Sequence, residues 1–143
     1  MTYTEIYFYS GASNKLHTAC RLCAKAVQQG LNVLVYSLDR PLLTQFDKLL
    51  WTISPTSFIA HCHAEDTKLV QVSPVILSHT LDCGKDTTVL LNLHDDCPPT
   101  FDQFQRLIEI TDTSNEGKMV GRKRYRMYQQ AGYKIHHHQL DEV

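Results

Sequence analysis

Ile6-Tyr7-Phe8-Tyr9-Ser10-Gly11 and Asn32-Val33-Leu34-Val35-Tyr36-Ser37, with the residues between them, decide the fold. The first run is β-branched and aromatic and stops at Ser10-Gly11, which reads as a buried strand. The second is an almost continuous apolar run of the kind covered on both faces. Between them Leu16, Ala19, Cys20, Cys23 and Val27 recur at helical spacing. They mark one face of a helix from about Asn14 to Gln29, closed by Gly30. Strand, helix and strand make a βαβ unit, so the two strands are expected to be parallel with a right-handed crossover.

The pattern continues outward. Asp39-Arg40-Pro41 ends the second strand, and a proline suits the first turn of a helix because its missing N–H is not needed there. Leu42 to about Trp51 reads as that helix, with Leu43, Phe46, Leu49 and Leu50 inward. A loop from Trp51 to His61 leads into a short extended piece, and residues 63–73 read as an irregular connection. Val75-Ile76-Leu77 and Thr88-Val89-Leu90-Leu91-Asn92-Leu93 read as strands separated by an Asp82-Cys83-Gly84-Lys85-Asp86 turn. Phe101 to Phe104 fits one helical turn, and Leu107-Ile108-Glu109-Ile110-Thr111 a further strand. Tyr133-Lys134-Ile135 offers a short edge segment before a frayed tail. The alternation predicts one α/β domain over residues 1–143, a three-layer α/β/α, Rossmann-like sandwich with a mostly parallel sheet of about five strands.

The residues from Gly117 to Gly132 form a basic helix with a capping-style start near Asn115-Glu116 and a stop glycine at Gly132. Val120, Met127 and Ala131 make a narrow apolar stripe expected to face the core. Lys118, Arg122, Tyr125, Arg126 and Gln129 gather on the opposite side. Two readings of that side stand: a solvated charged face, or a surface for an acidic peptide or phosphate backbone. Arg124 flanks the apolar stripe and reads as a paired, structural arginine.

Bulk composition narrows the function. The chain has 143 residues, 43% of them hydrophobic and 20% charged, with a net charge of −1. That charge argues against non-specific nucleic-acid binding by the whole molecule, so any acidic partner must be held locally. The start, Met1-Thr2-Tyr3-Thr4-Glu5, lacks a basic segment and a long apolar run, so neither a signal peptide nor a membrane anchor is expected. Five scattered cysteines fit a reducing cytoplasm.

Enzyme readings fail on missing parts. Ser10-Gly11-Ala12-Ser13-Asn14-Lys15 follows the first strand where a phosphate loop would lie. It has one glycine, and Leu16 follows Lys15 where the metal-binding hydroxyl is needed. His94-Asp95-Asp96 then reads as a solvated turn. Cys20 and Cys23 have redox spacing but lie mid-helix on the core face rather than at a helix N-terminus. His61-Cys62-His63 lacks a second ligand pair, and His136-His137-His138 alternates faces if extended. No cofactor, metal or catalytic residue is expected. Trp51 lies near a helix end where full burial is difficult, and with Phe58 it reads either as core or as an aromatic anchor pocket beside the cationic helix.

Several stretches, in order, resemble the chi subunit family of bacterial DNA polymerase III holoenzyme. They are Asp47-Lys48-Leu49-Leu50-Trp51, Pro55-Thr56-Ser57-Phe58-Ile59-Ala60-His61, Pro74-Val75-Ile76-Leu77 and Val89-Leu90-Leu91-Asn92-Leu93. Pro98-Pro99 through Phe101, Phe104 and Glu109-Ile110 continue the likeness. It closes on Gly121-Arg122-Lys123-Arg124-Tyr125-Arg126-Met127-Tyr128 and Gly132-Tyr133. Gly121, Lys123 and Ala60 depart from the family's alanine, glutamate and proline; the glycine is expected to loosen the helix slightly. The resemblance implies a non-catalytic, cytoplasmic bacterial replication subunit. It would pair with the psi subunit, and through it with the clamp loader. It would also bind the acidic C-terminal tail of single-stranded-DNA-binding protein, contacting DNA mainly indirectly. Carried over, Trp51 and Phe58 would build an apolar pocket, Arg122 and Arg126 would hold carboxylates, and Tyr125 would pack between them. Two alternatives stay open: direct single-strand binding by the same basic helix, and a degenerate nucleotide hydrolase.

Overall fold

The computed structural model describes residues 4–52, 59–81 and 88–140. β1 (Glu5–Ala12) leads to α1 (Lys15–Gln28), β2 (Val33–Tyr36), α2 (Arg40–Thr52), β3 (His61–His63), β4 (Val75–Ser78) and β5 (Val89–Asn92). A 3-10 turn at Phe101–Gln103, β6 (Arg106–Asp112), α3 (Asn115–Gln130) and β7 (Ile135–Gln139) complete the order. The strands form one open sheet in the order β3-β4-β2-β5-β6-β1-β7. Every neighbouring pair is parallel. β1 and β2 share the sheet as parallel strands, with β5 and β6 between them.

Local chemistry sets the element ends. The Asn14 side chain accepts the His17 N–H at 3.2 Å and so caps α1, and Gly30 turns the chain out at φ 80°. All four β2 residues are buried because helices or loops cover both faces. Val33 and Val35 meet Ala19, Cys23, Phe46 and Leu50 from α1 and α2. Leu34 and Tyr36 point the other way, into a core with Phe104, Leu107 and Tyr128. Each fully buried Leu, Ile or Phe contributes about 1.5–3 kcal/mol, so both layers matter to stability.

Three expectations are corrected. The sheet has seven strands rather than about five. Part of the difference is β7, for the histidine run is not frayed through residue 139 but pairs with β1. His136 stacks on Tyr7 at 4.7 Å and His138 on Tyr9 at 5.0 Å. Histidines carry no strong strand propensity, so cross-strand aromatic pairing rather than pattern holds them. The turn at 82–86 lies outside the described residues.

The second correction is the inward face of α3. Val120 is half-buried, while Met127 and Ala131 are exposed; the buried residues are Gly121, Arg124 and Tyr128. Hydropathy misreads this helix because its core side is polar and internally paired. The third is the cap, which belongs to Ser114: its Oγ accepts the Gly117 N–H at 3.0 Å. Gly121 lies against β6, where a Cβ would overlap the Thr111 methyl. It therefore brings helix and sheet close together, a packing role that offsets its low helix propensity.

Candidate functional site

The inner side of α3 holds a buried charge network. Glu109 of β6 is fully buried, and Tyr128 Oη donates to its Oε2. Asn92 Nδ2 donates to both carboxylate oxygens at 3.1 Å. Arg124, 4% exposed, brings Nε to 3.2 Å from Glu109 Oε1, an ion-pair contact off the line of the N–H. Its Nη1 donates to the Asp95 carbonyl at 2.6 Å. Burial pushes the Glu109 carboxyl up, against the downward pull of Arg124, Tyr128 and Asn92. Lys15, at the start of α1, is pushed down by burial and then by Arg124. Arg124 thus has the structural, paired role read from its position.

The outer side of α3 is open. Lys118, Arg122, Tyr125, Arg126 and Gln129 all line one cavity of about 840 Å³. Its other walls are the ends of β1 and β6, at Gly11 and Thr111-Asp112-Thr113, and the edge strand β7 with His137 and Gln139. Tyr125 stands edge-on to Phe8 at 5.2 Å and to His137 at 5.7 Å, so its ring forms a fixed wall. Arg122, Arg126 and Lys118 are exposed, and among the described residues none has an ion-pair partner. Three cations beside a rigid aromatic suit a carboxylate-bearing peptide.

Trp51 is elsewhere. It is 52% exposed near the end of α2, with its ring 4.5 Å from that of His61 in β3. β3 and β7 are opposite edges of the sheet. Six interstrand steps of ~4.8 Å separate them, about 29 Å. α2 and α3 also cover opposite faces. The expectation of one pocket shared by Trp51 and the basic helix is therefore corrected: Arg122, Tyr125 and Arg126 come together, and Trp51 does not join them. Phe58 lies outside the described residues. Beside Trp51, the His61 ring contacts the Ile59 carbonyl and Asp47, both at 2.7 Å.

The remaining chemical candidates have structural occupations. Cys20 and Cys23 are fully buried, and burial pushes the Cys20 thiol up to about 12 and Cys23 higher still, so neither is a ready thiolate. Gly11, the single glycine of the would-be phosphate loop, is faced by the backbone of Leu140, whose N–H donates to the Ser10 carbonyl at 2.8 Å. The chain itself covers the close approach a phosphate would need. Asp95 and Asp96 give their backbone carbonyls to Arg124 and Asn92, fastening their turn to the buried network. Among the described residues no group of three or more His, Cys, Asp or Glu stands ready to hold a metal, and no helix is long and apolar enough to cross a membrane.

Sequence reasoning missed His137 and Gln139 as cavity walls. Period-two alternation along an extended 135–139 is the signal that would have found them, with Ile135, His137 and Gln139 on one face.

Comparison with known proteins bears on this geometry. The family model described as DNA polymerase III chi subunit, HolC matches residues 3–136. A curated protein of Pseudomonas aeruginosa, DNA polymerase III subunit chi, is 29% identical over 145 residues, covering 100% of both chains. With this match across nearly the whole chain and an open, all-parallel sheet, the chain belongs to the DNA polymerase III chi subunit family.

Proposed function

We propose that this chain is a non-catalytic adaptor of the replicative polymerase. It binds the acidic C-terminal tail of single-stranded-DNA-binding protein between α3 and β7 and links it, through a psi subunit, to the clamp loader. The observation that carries the reading is the convergence of Lys118, Arg122, Tyr125 and Arg126 on one cavity. A tail with several carboxylates needs cations that bind it in pairs, and an apolar residue near its end needs a ring to pack on. Such a contact is small and salt-sensitive, as an exchangeable link should be.

Two partners need two surfaces. Trp51, beside the β3 edge at the other end of the sheet from β7, is an exposed aromatic of the kind that anchors interfaces, and it is the natural contact for the psi partner. Opposite edges let both partners bind at once without competing.

The test is titration with a labelled copy of the tail at low and high salt. Arg122→Ala should weaken tail binding by roughly tenfold or more with folding intact, while Trp51→Ala should spare the tail and weaken pairing with psi. Loss of tail binding in Trp51→Ala with an unchanged fold would overturn the two-surface reading. A single-stranded oligonucleotide that displaces the peptide, with affinity falling steeply in salt, would favour direct DNA binding instead.

A further inference from the structure

We propose that His137 is a further contact residue for the acidic ligand of this cavity, engaging it in the protonated form and making binding proton-linked. The inference rests on the acidic-tail reading above and assigns that site a regulation. Alternation along β7 splits the three histidines between faces. His136 and His138 stack on Tyr7 and Tyr9, while His137 faces the cavity with Phe8 at 6.2 Å and Tyr125 at 5.7 Å. Its Nε2 lies 2.8 Å from Ser10 Oγ.

That hydroxyl fits either protonation state of the ring. It donates to a bare Nε2 and accepts from a protonated one, so proton uptake breaks no hydrogen bond. From α3 the groups facing His137 across the cavity are Lys118, Arg122, Tyr125 and Arg126, and from β6 Asp112. β1 contributes Phe8, Ser10 and Gly11, and β7 Gln139, none of them charged. His137 is the one histidine among the lining side chains, and histidine is the residue type able to change charge near neutral pH. An acidic ligand brings carboxylates to that ring, so ligand and proton each favour the other's binding. Three permanent cations give a base affinity, and His137 adds a cation that depends on pH.

The experiment measures anisotropy of a rhodamine-labelled copy of the tail of the organism's own single-stranded-DNA-binding protein, at constant ionic strength. Between about pH 8 and about pH 5.5, wild-type affinity should tighten by about fivefold to tenfold. His137→Gln keeps a hydrogen-bonding side chain beside Ser10 and should lose that slope. His136→Gln with His138→Gln, on the other face, should retain it. Wild-type binding without a pH slope, or His137→Gln with the wild-type slope, would overturn the role of His137 and leave tail binding standing. A wild type that binds no peptide at any pH would instead sink the tail reading, and this inference with it.

Discussion

Arg122 and Arg124 are two positions apart on α3 and live in opposite environments. About 200° of helical rotation separates them. Arg124 is 4% exposed and set among Glu109, Tyr128 and the Asp95 carbonyl, whereas Arg122 is exposed on the cavity rim. Identical side chains therefore carry different energetic meaning. A buried ion pair adds little net stability when it forms, since desolvation consumes most of its attraction, but breaking one side leaves a stranded charge. A rim arginine is hydrated and nearly neutral to folding, which leaves its hydrogen bonds available to a ligand.

The sharpest way to break this contrast is Arg124→Ala. It strands the Glu109 carboxylate in a fully buried site, and a loss of about 3–5 kcal/mol in urea unfolding is expected. Adding Glu109→Gln removes the stranded charge and should recover part of that loss, so a double-mutant cycle should give strong coupling. Additive losses would mean that the two groups do not act as a pair.

Tyr128→Phe comes next. It deletes the hydroxyl that donates to Glu109 Oε2 while keeping the ring against Phe101, 5.2 Å away. The carboxylate retains Asn92, so a loss of about 1–3 kcal/mol is expected. The melting temperature should fall without a change in the unfolding m-value.

How much of this was legible beforehand differs between the layers. The βαβ start, the doubly buried strands and the Asn14 and Gly30 helix ends follow from short-range rules that act on residues alone. The inward face of α3 does not, because Gly121, Arg124 and Tyr128 are core residues only by virtue of partners on β6. The apolar stripe admits Arg124 only as a flank, leaves out Gly121 and Tyr128, and places Met127, which is 50% exposed, in the core. The cationic cavity wall was legible, since five residues at helical spacing must share a side. The separation of Trp51 from that wall was not, because strand order is a long-range property that spacing along the chain does not encode.

Gly121→Ala tests the close contact that holds the two sides of α3 in register with the sheet. Overpacking costs about 1–3 kcal/mol, against a helix-propensity gain of about 1 kcal/mol. The overlap is with a β-branched methyl on a buried strand residue, which has little room to yield, so a net loss of about 1 kcal/mol is expected. Thr111→Ser removes the methyl that the new Cβ would meet. The double variant should therefore be more stable than Gly121→Ala alone; if it is not, the glycine has another reason to be there.

Arg122→Ala should change stability least, within about 0.5 kcal/mol, because its side chain is exposed and supports no buried partner. Its effect belongs to binding. If the proposed tail binding holds, loss of a charge-assisted hydrogen bond worth about 1.5–3 kcal/mol should weaken the tail's affinity by roughly tenfold to a hundredfold. Unfolding curves that superimpose on wild type, beside a collapsed tail affinity, would make Arg122 the functional counterpart of Arg124. The affinity gap should also narrow as salt rises, since ions screen the rim and do not reach the buried pair. If Arg122→Ala instead destabilised the fold as Arg124→Ala does, both arginines would be structural, and the cavity would lose its claim to be a binding surface.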